Sequence, residues 1–357
     1  MSKWIDFSID ERKAMIQGVA NAMHIDEPAA EKDWWVTAVL YALFGTEVSE
    51  YLLFKGGTSL SKGWNLINRF SEDIDLALGR EFFLNEKKLS CANCTSNTQI
   101  HKLREKAQDY LFGEFKEDLK KQLASMGLEV TVIAENELPD ENGKPIKVPH
   151  DKDPSVLYVQ YKSLYESGES AYAQPSVKIE ISVLSMDEPF EMRRISSLVE
   201  QVYKGEDVDS DIVQTIKTVS PARTFLEKAF LLCEEYQKPF PRTYRMSRHF
   251  YDLEKLSHTK YAEMALGDPN LYYEIVKHRK KFYHVGAVDY DKELPPSITI
   301  VPREDLIEKF ADDYKRMQGS FIYGDSLSFE ELLKFLEVLQ EKFRSVPPPM
   351  SSNDSYK

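Results

Sequence analysis

Three groups of residues in this chain have types and spacings that could do chemistry. The first is a pair of acids, Asp73 and Asp75, two positions apart and surrounded by Ile74, Leu76 and Leu78. That spacing is the strand period, so both carboxylates share a face while Ile74 turns into a core. Adjacent carboxylates repel unless a cation lies between them. Hard oxygen ligands on a rigid strand suit Mg²⁺, with Mn²⁺ as the alternative, and the shell is completed by water and substrate phosphates. The second group, Gly56, Gly57, Thr58 and Ser59, ends fourteen residues before Asp73. A glycine pair lets main-chain N–H groups approach an anion, and the two hydroxyls add donors. A phosphate cradle beside a metal-holding acid pair is what phosphoryl or nucleotidyl transfer requires. The third is the run Tyr236 to Tyr251, which holds Lys238, Arg242, Arg245, Arg248 and His249 and no acid. Tyr236, Phe240, Tyr244, Phe250 and Tyr251 interleave with these charges. Cations that grip phosphates and aromatics that stack on bases suit single-stranded nucleic-acid ends, whereas the plainer reading is a loop whose arginines pair with acids of the catalytic domain.

The elements that must position these groups follow from periodicity. Leu52–Leu53–Phe54 reads as a buried strand leading into the glycine pair. Before it come a helix over Glu11 to Met23 and a second, capped by Asp33, whose Trp34, Trp35, Val39, Leu40, Tyr41, Leu43 and Phe44 are core packing. Leu103, Ala107, Leu111, Phe115, Leu119 and Leu123 recur every fourth residue and predict one long amphipathic helix ending at Gly127. Strands are predicted over Leu128–Ala134, Val156–Tyr161 and Val177–Leu184, with the polar stretch Asn136 to Pro154 as an exposed hairpin loop. In VKIEISVL, Glu180 stands alone as an acid on the face shared with Lys178 and Ser182, which is the ordinary pattern of a solvated strand face. From Ser220–Pro221 the composition turns helical. The helix beginning there sets Phe225, Ala229, Leu232 and Tyr236 on one face with Lys228 close by, and such a lysine is ordinarily a surface charge. KHRKK at Lys277 to Lys281 reads as a solvated helix face, and Phe329–Phe343 as a final helix capped by Ser328 with Glu331.

The string GGTSL…RFSEDIDL resembles the AbiEii/AbiGii toxin family of bacterial nucleotidyltransferases, within the nucleotidyltransferase superfold of the polymerase-β type. ARTFLEKAFLL is similar to that family's R-T-F-x-E-K segment, and SRHFYDL to its R-H-x-Y-D-L segment, with Phe250 where the family tends to carry tyrosine. The mixture of helices and antiparallel hairpins is an α+β pattern, and the resemblance makes it a mixed-sheet nucleotidyltransferase core over residues 31–220, preceded by a helical segment over 1–30. A mainly helical C-terminal domain over 221–345 and a disordered tail over 346–357 follow. It implies Asp73 and Asp75 as metal-holding catalytic acids, with Glu180 on a neighbouring strand as a third ligand or general base. It also implies Gly56, Gly57, Thr58 and Ser59 around the nucleotide phosphates, Lys228 against the leaving pyrophosphate, and Asp252 positioning Lys228 or a nucleotide group. Asp252 taken alone would be an ordinary carboxylate near a helix N-terminus. The activity implied is transfer of a nucleotide from an NTP to an RNA such as the tRNA 3′ end. The protein would be the toxin of a toxin–antitoxin or abortive-infection (phage-defence) pair, held inactive by an antitoxin. Nucleotide transfer to a protein or small molecule, and a non-catalytic nucleotide-binding module, are the alternatives.

Bulk properties bound these readings. The 357 residues, 42% apolar and 29% charged, suit two soluble domains. No stretch reaches the apolar length of a bilayer span and the N-terminus lacks a secretory core, so a cytoplasmic protein is expected. Three cysteines make no disulfide framework; Cys91 and Cys94, with His101 nearby, form either half a zinc site or a turn with two incidental thiols. The net charge of −13 repels nucleic acid overall, so an RNA substrate requires a local basic patch.

Overall fold

The structure, a computed structural model, describes residues 3–141, 143–165, 175–185, 189–206, 208, 212–283 and 285–349. They form two compact units. One takes the chain up to Trp64 and again Phe70–Val219; the other takes Asn65–Arg69 and the chain from Ser220 onward.

The first unit is built on a mixed sheet of seven described strands, an α+β arrangement: β1 Leu52–Lys55, β2 Ile74–Leu78, β3 Thr131–Ala134, β4 Ser155–Gln160, β5 Ser176–Ser182, β6 Phe190–Ile195 and β7 Gln214–Val219. Their order is β3-β4-β5-β2-β1-β7-β6. β2 runs parallel to β5 and β1 parallel to β7, while the other neighbours are antiparallel. Ile74, Leu76, Val177, Ile179 and Ile181 alternate onto one face and are fully buried. β6 and β7 are additions to the sequence reading. FEMRRI lies at the sheet edge with Phe190 and Met192 exposed, and its apolar alternation breaks at Arg193–Arg194, too short a signal to mark a strand.

Helix Glu27–Leu43 packs on β5, and helix Ile9–Met23 packs on that helix. Asp26, not Asp33, caps the second, accepting from Ala29 N at 3.0 Å. Asp33 sits in mid-helix, paired with Lys62 at 2.6 Å and accepting from Leu198 N at 2.8 Å. A boundary at residue 30 therefore falls inside a helix. The period-four run is buried along its length, yet it is not one regular helix: Asn97–Tyr110 and Lys116–Ser125 flank a π turn at Leu111–Phe115. An α-helix repeats every 3.6 residues, so a strict spacing of four drifts off the core, and one wide turn takes up the drift.

The second unit contains helices Pro221–Gln237, Ser247–Ser257, Lys260–Gly267, Pro269–Phe282, Ile307–Ser320 and Phe329–Arg344. Ser220 caps the first with Pro221 at its first position, and Ser328 and Glu331 form the predicted capping box on the last. Its core holds stacked rings, Phe225 on Phe343 and Phe250 on Phe310, with centroids 5.2 and 4.8 Å apart. Phe250 is fully buried there, a place with no use for a hydroxyl. KHRKK is not simply solvated. Lys277, Lys280 and Lys281 are exposed, but Arg279 is buried between Glu234 (2.5 Å) and Glu293 (3.2 Å). Of the expected tail, Val346 is buried, and residues 350–357 lie outside the described residues.

Candidate active site

Strand register brings the acids of the first unit together. Lys55 of β1 stands opposite Asp75 of β2, and Asp75 stands opposite Glu180 of β5. The three form one row across adjacent strands, on the face opposite the buried isoleucines. Burial, then Glu180, then Asp73 push the Asp75 carboxyl up to about 7, against the pull of Lys55. Neighbouring carboxylates disfavour each other's ionised form, and a cation between them would relieve that. Lys178 donates to Glu180. Past Glu180 along β5, Asp153, just before β4, accepts from Ser182 Oγ at 2.6 Å and from Val183 N at 2.9 Å.

The glycine turn is moulded to the same acid. Gly56 has φ +79°, and a Cβ there would lie 1.9 Å from Asp75 Oδ2. Only glycine satisfies both the left-handed backbone and the seated carboxylate. After Gly56–Thr58 the chain opens into a π turn at Ser59–Gly63, braced by Arg193, whose Nε donates to Gly63 O at 2.9 Å and whose guanidinium lies over Trp64. Thr58 and Ser59 are fully buried and their hydroxyls face inward. Thr58 Oγ1 bonds to Ser71 Oγ and to the Asp73 carbonyl, and Ser59 donates to Gly56 O at 2.9 Å. The Thr58 hydroxyl thus ties the turn to the residue before the acid strand and the Ser59 hydroxyl closes the turn on itself, so neither side chain is turned toward an anion.

Oxygen donors from Asp73, Asp75 and Glu180 fit Mg²⁺ better than zinc. Among the described residues no three His, Cys, Asp or Glu side chains already converge as a metal cage. Mg²⁺ does not need one, since it is commonly held by one or two carboxylates, waters and substrate phosphates. In the C-x-x-C pair, Cys91 lies in the 3₁₀ turn Ser90–Asn93 and Cys94 is its C-cap residue; both are buried free thiols, and His101 pairs with Asp151 at 2.8 Å.

The second unit holds an ion cluster of the opposite sign. Asp252 is fully buried and takes Arg69 through two 2.7 Å bonds, to Nε and Nη2, and Lys228 Nζ at 2.7 Å. Although burial opposes it, Arg69 and Lys228 hold the Asp252 carboxyl far below the usual range. Burial, with Arg69 and Arg248, lowers Lys228 below an ordinary lysine despite Asp252. Lys228 is therefore no surface charge, being 7% exposed. Next to this cluster His249 is buried with Nδ1 unpartnered, and burial followed by Lys228 and Arg248 pushes its pKa well below the usual imidazole value.

Sequence reasoning missed Lys55 and Arg69. Lys55 adjoins the glycine pair, but its place opposite Asp75 depends on hairpin register. Arg69 lies inside RFSEDIDL, and its partner is 183 residues away. Residues 38–335 match the family model described as Nucleotidyl transferase AbiEii toxin, Type IV TA system. No curated protein matches the chain.

Proposed function

We propose, from the premise that this chain belongs to the AbiEii nucleotidyl transferase toxin family of Type IV toxin–antitoxin systems, that it is a Mg²⁺-dependent enzyme moving a nucleotide from an NTP to the 3′-hydroxyl of an RNA, tRNA first among candidates. The observation that carries this reading is the row Lys55–Asp75–Glu180 seated on the Gly56 turn. It combines surplus negative charge on a rigid sheet with an adjacent main-chain turn, which is the demand of a metal–triphosphate substrate.

In this reading Asp73, Asp75 and Glu180 hold Mg²⁺, which when bound supplies Lewis-acid neutralisation of the triphosphate. The turn Gly56–Ser59 receives phosphates through its main-chain N–H groups. The acceptor oxygen attacks the α-phosphorus in line, the bond to the bridging oxygen of the β-phosphate breaks, and pyrophosphate leaves. The hydroxyl proton passes to a carboxylate of the row. Lys228, fixed by Asp252, neutralises charge growing on the leaving group. The fold is read as a polymerase-β-type core followed by a helical C-terminal domain. The biological reading is a cytoplasmic toxin of an abortive-infection pair, checked by an antitoxin. No helix among the described residues is long and apolar enough to cross a membrane.

The test is to incubate the purified protein and Mg²⁺ with each α-labelled NTP, offering bulk tRNA or total protein. Label at tRNA 3′ ends supports the proposal. Label confined to protein or a small molecule moves the acceptor to that class, and bound NTP without transfer leaves only a nucleotide-binding module.

A further inference from the structure

The basic aromatic run sorts into two sets. Tyr236, Phe250 and Tyr251 are core residues, whereas Phe240 is 91% and Tyr244 63% exposed. Phe240 sits between Pro239 and Pro241, so the backbone on both sides is restricted before anything binds. A buried acid ties each end of this loop. Glu235, 1% exposed, accepts from Lys238 Nζ at 2.7 Å and from Arg242 N, Nε and Nη2 at 2.7, 3.1 and 2.9 Å. Asp313 accepts from Arg245 N at 2.6 Å and Ser247 N at 3.0 Å. The loop is thus held in one shape with a phenylalanine at its tip, and an aromatic ring displayed this way loses little entropy when it is covered.

We propose that Phe240 and Tyr244 are a stacking platform for unpaired bases of an RNA, with the part-exposed Arg242 side chain, oriented by Glu235, beside its phosphates. This rests on the reading that the acceptor is an RNA. The chemistry favours nucleic acid over a protein partner. Two rings set apart by charges do not make the contiguous apolar patch of a protein interface. The run also carries four fixed cations against one acid, Glu235, which holds Lys238 and Arg242, so the loop stays net positive in a chain of net charge −13. Stacking reads no sequence, so the platform accepts any unpaired end and discriminates against duplex.

The test uses fluorescein-labelled single-stranded and duplex RNA, read by anisotropy with the full chain. Wild type is expected to prefer the single strand. Phe240→Ala weakens that binding about tenfold, which is about 1.4 kcal/mol and within the range for one stacked base. Phe240→Trp restores it, and the Kd for NTP stays unchanged in both variants. Equal RNA binding by wild type and Phe240→Ala overturns the proposal, as does a Phe240→Ala variant that keeps its RNA affinity but escapes the antitoxin. A wild type that binds RNA through Phe240 yet labels none sinks the catalytic reading and leaves this one standing.

Discussion

Asp75 and Asp252 are the same side chain in opposite surroundings. Asp75 shares its sheet face with Glu180 and Asp73 against Lys55, and burial with these acids pushes it up to about 7. Asp252 is fully buried against Arg69 and Lys228, which hold it charged in spite of burial. One region has acids in excess, and the other has two cations on one acid. Each surplus is unfavourable for folding alone. Each is relieved by what the proposed reaction brings, a divalent cation for the first and phosphate charge for the second.

The same Asp→Asn change should therefore act oppositely at the two places. Asp252→Asn leaves two buried cations without a carboxylate and should cost about 3–5 kcal/mol of stability, measured by denaturant titration. Asp75→Asn should not destabilise the metal-free protein, and above pH 7 should raise its Tm. The native value of about 7 lies above the 3.8 of an ordinary aspartate. The native state therefore binds more protons between those values, and wild-type stability falls as pH rises through that window. Asparagine has no such loss. Equal destabilisation by both changes would dissolve the contrast.

Lys228→Met sharpens the comparison from the cation side. Arg69 still satisfies both oxygens of Asp252, so the fold should hold, while kcat/KM falls about a hundredfold through lost charge stabilisation. The smallest effect is expected at the turn. Gly56→Ala must accept a left-handed backbone costing at least about 1 kcal/mol, and its methyl displaces the Asp75 carboxylate. Its signature is a modest fall in Tm with a larger loss of Mg²⁺-dependent activity than a surface Gly→Ala change shows.

What could be read from the sequence was what local spacing determines. The D-x-D alternation, the strand before Gly56 and the capping box at Ser328 each depend on neighbours within a few residues. The pairing of Asp75 with Glu180 joins parallel strands more than a hundred residues apart, and no local period encodes it. Glu235 stands one position before the acid-free run and neutralises part of it, so a window drawn on composition cut the loop from its anchor. The Thr58 and Ser59 hydroxyls looked like phosphate donors because side-chain type does not reveal which way a hydroxyl turns.

The most direct test of the central claim compares wild type with Asp75→Asn in Mg²⁺-dependent transfer of α-labelled nucleotide to tRNA, with Tm taken on the same samples. The row predicts label on tRNA from wild type, its loss on chelation, and none from the variant although that variant's Tm is not lowered. Undiminished, metal-dependent labelling by Asp75→Asn would contradict it.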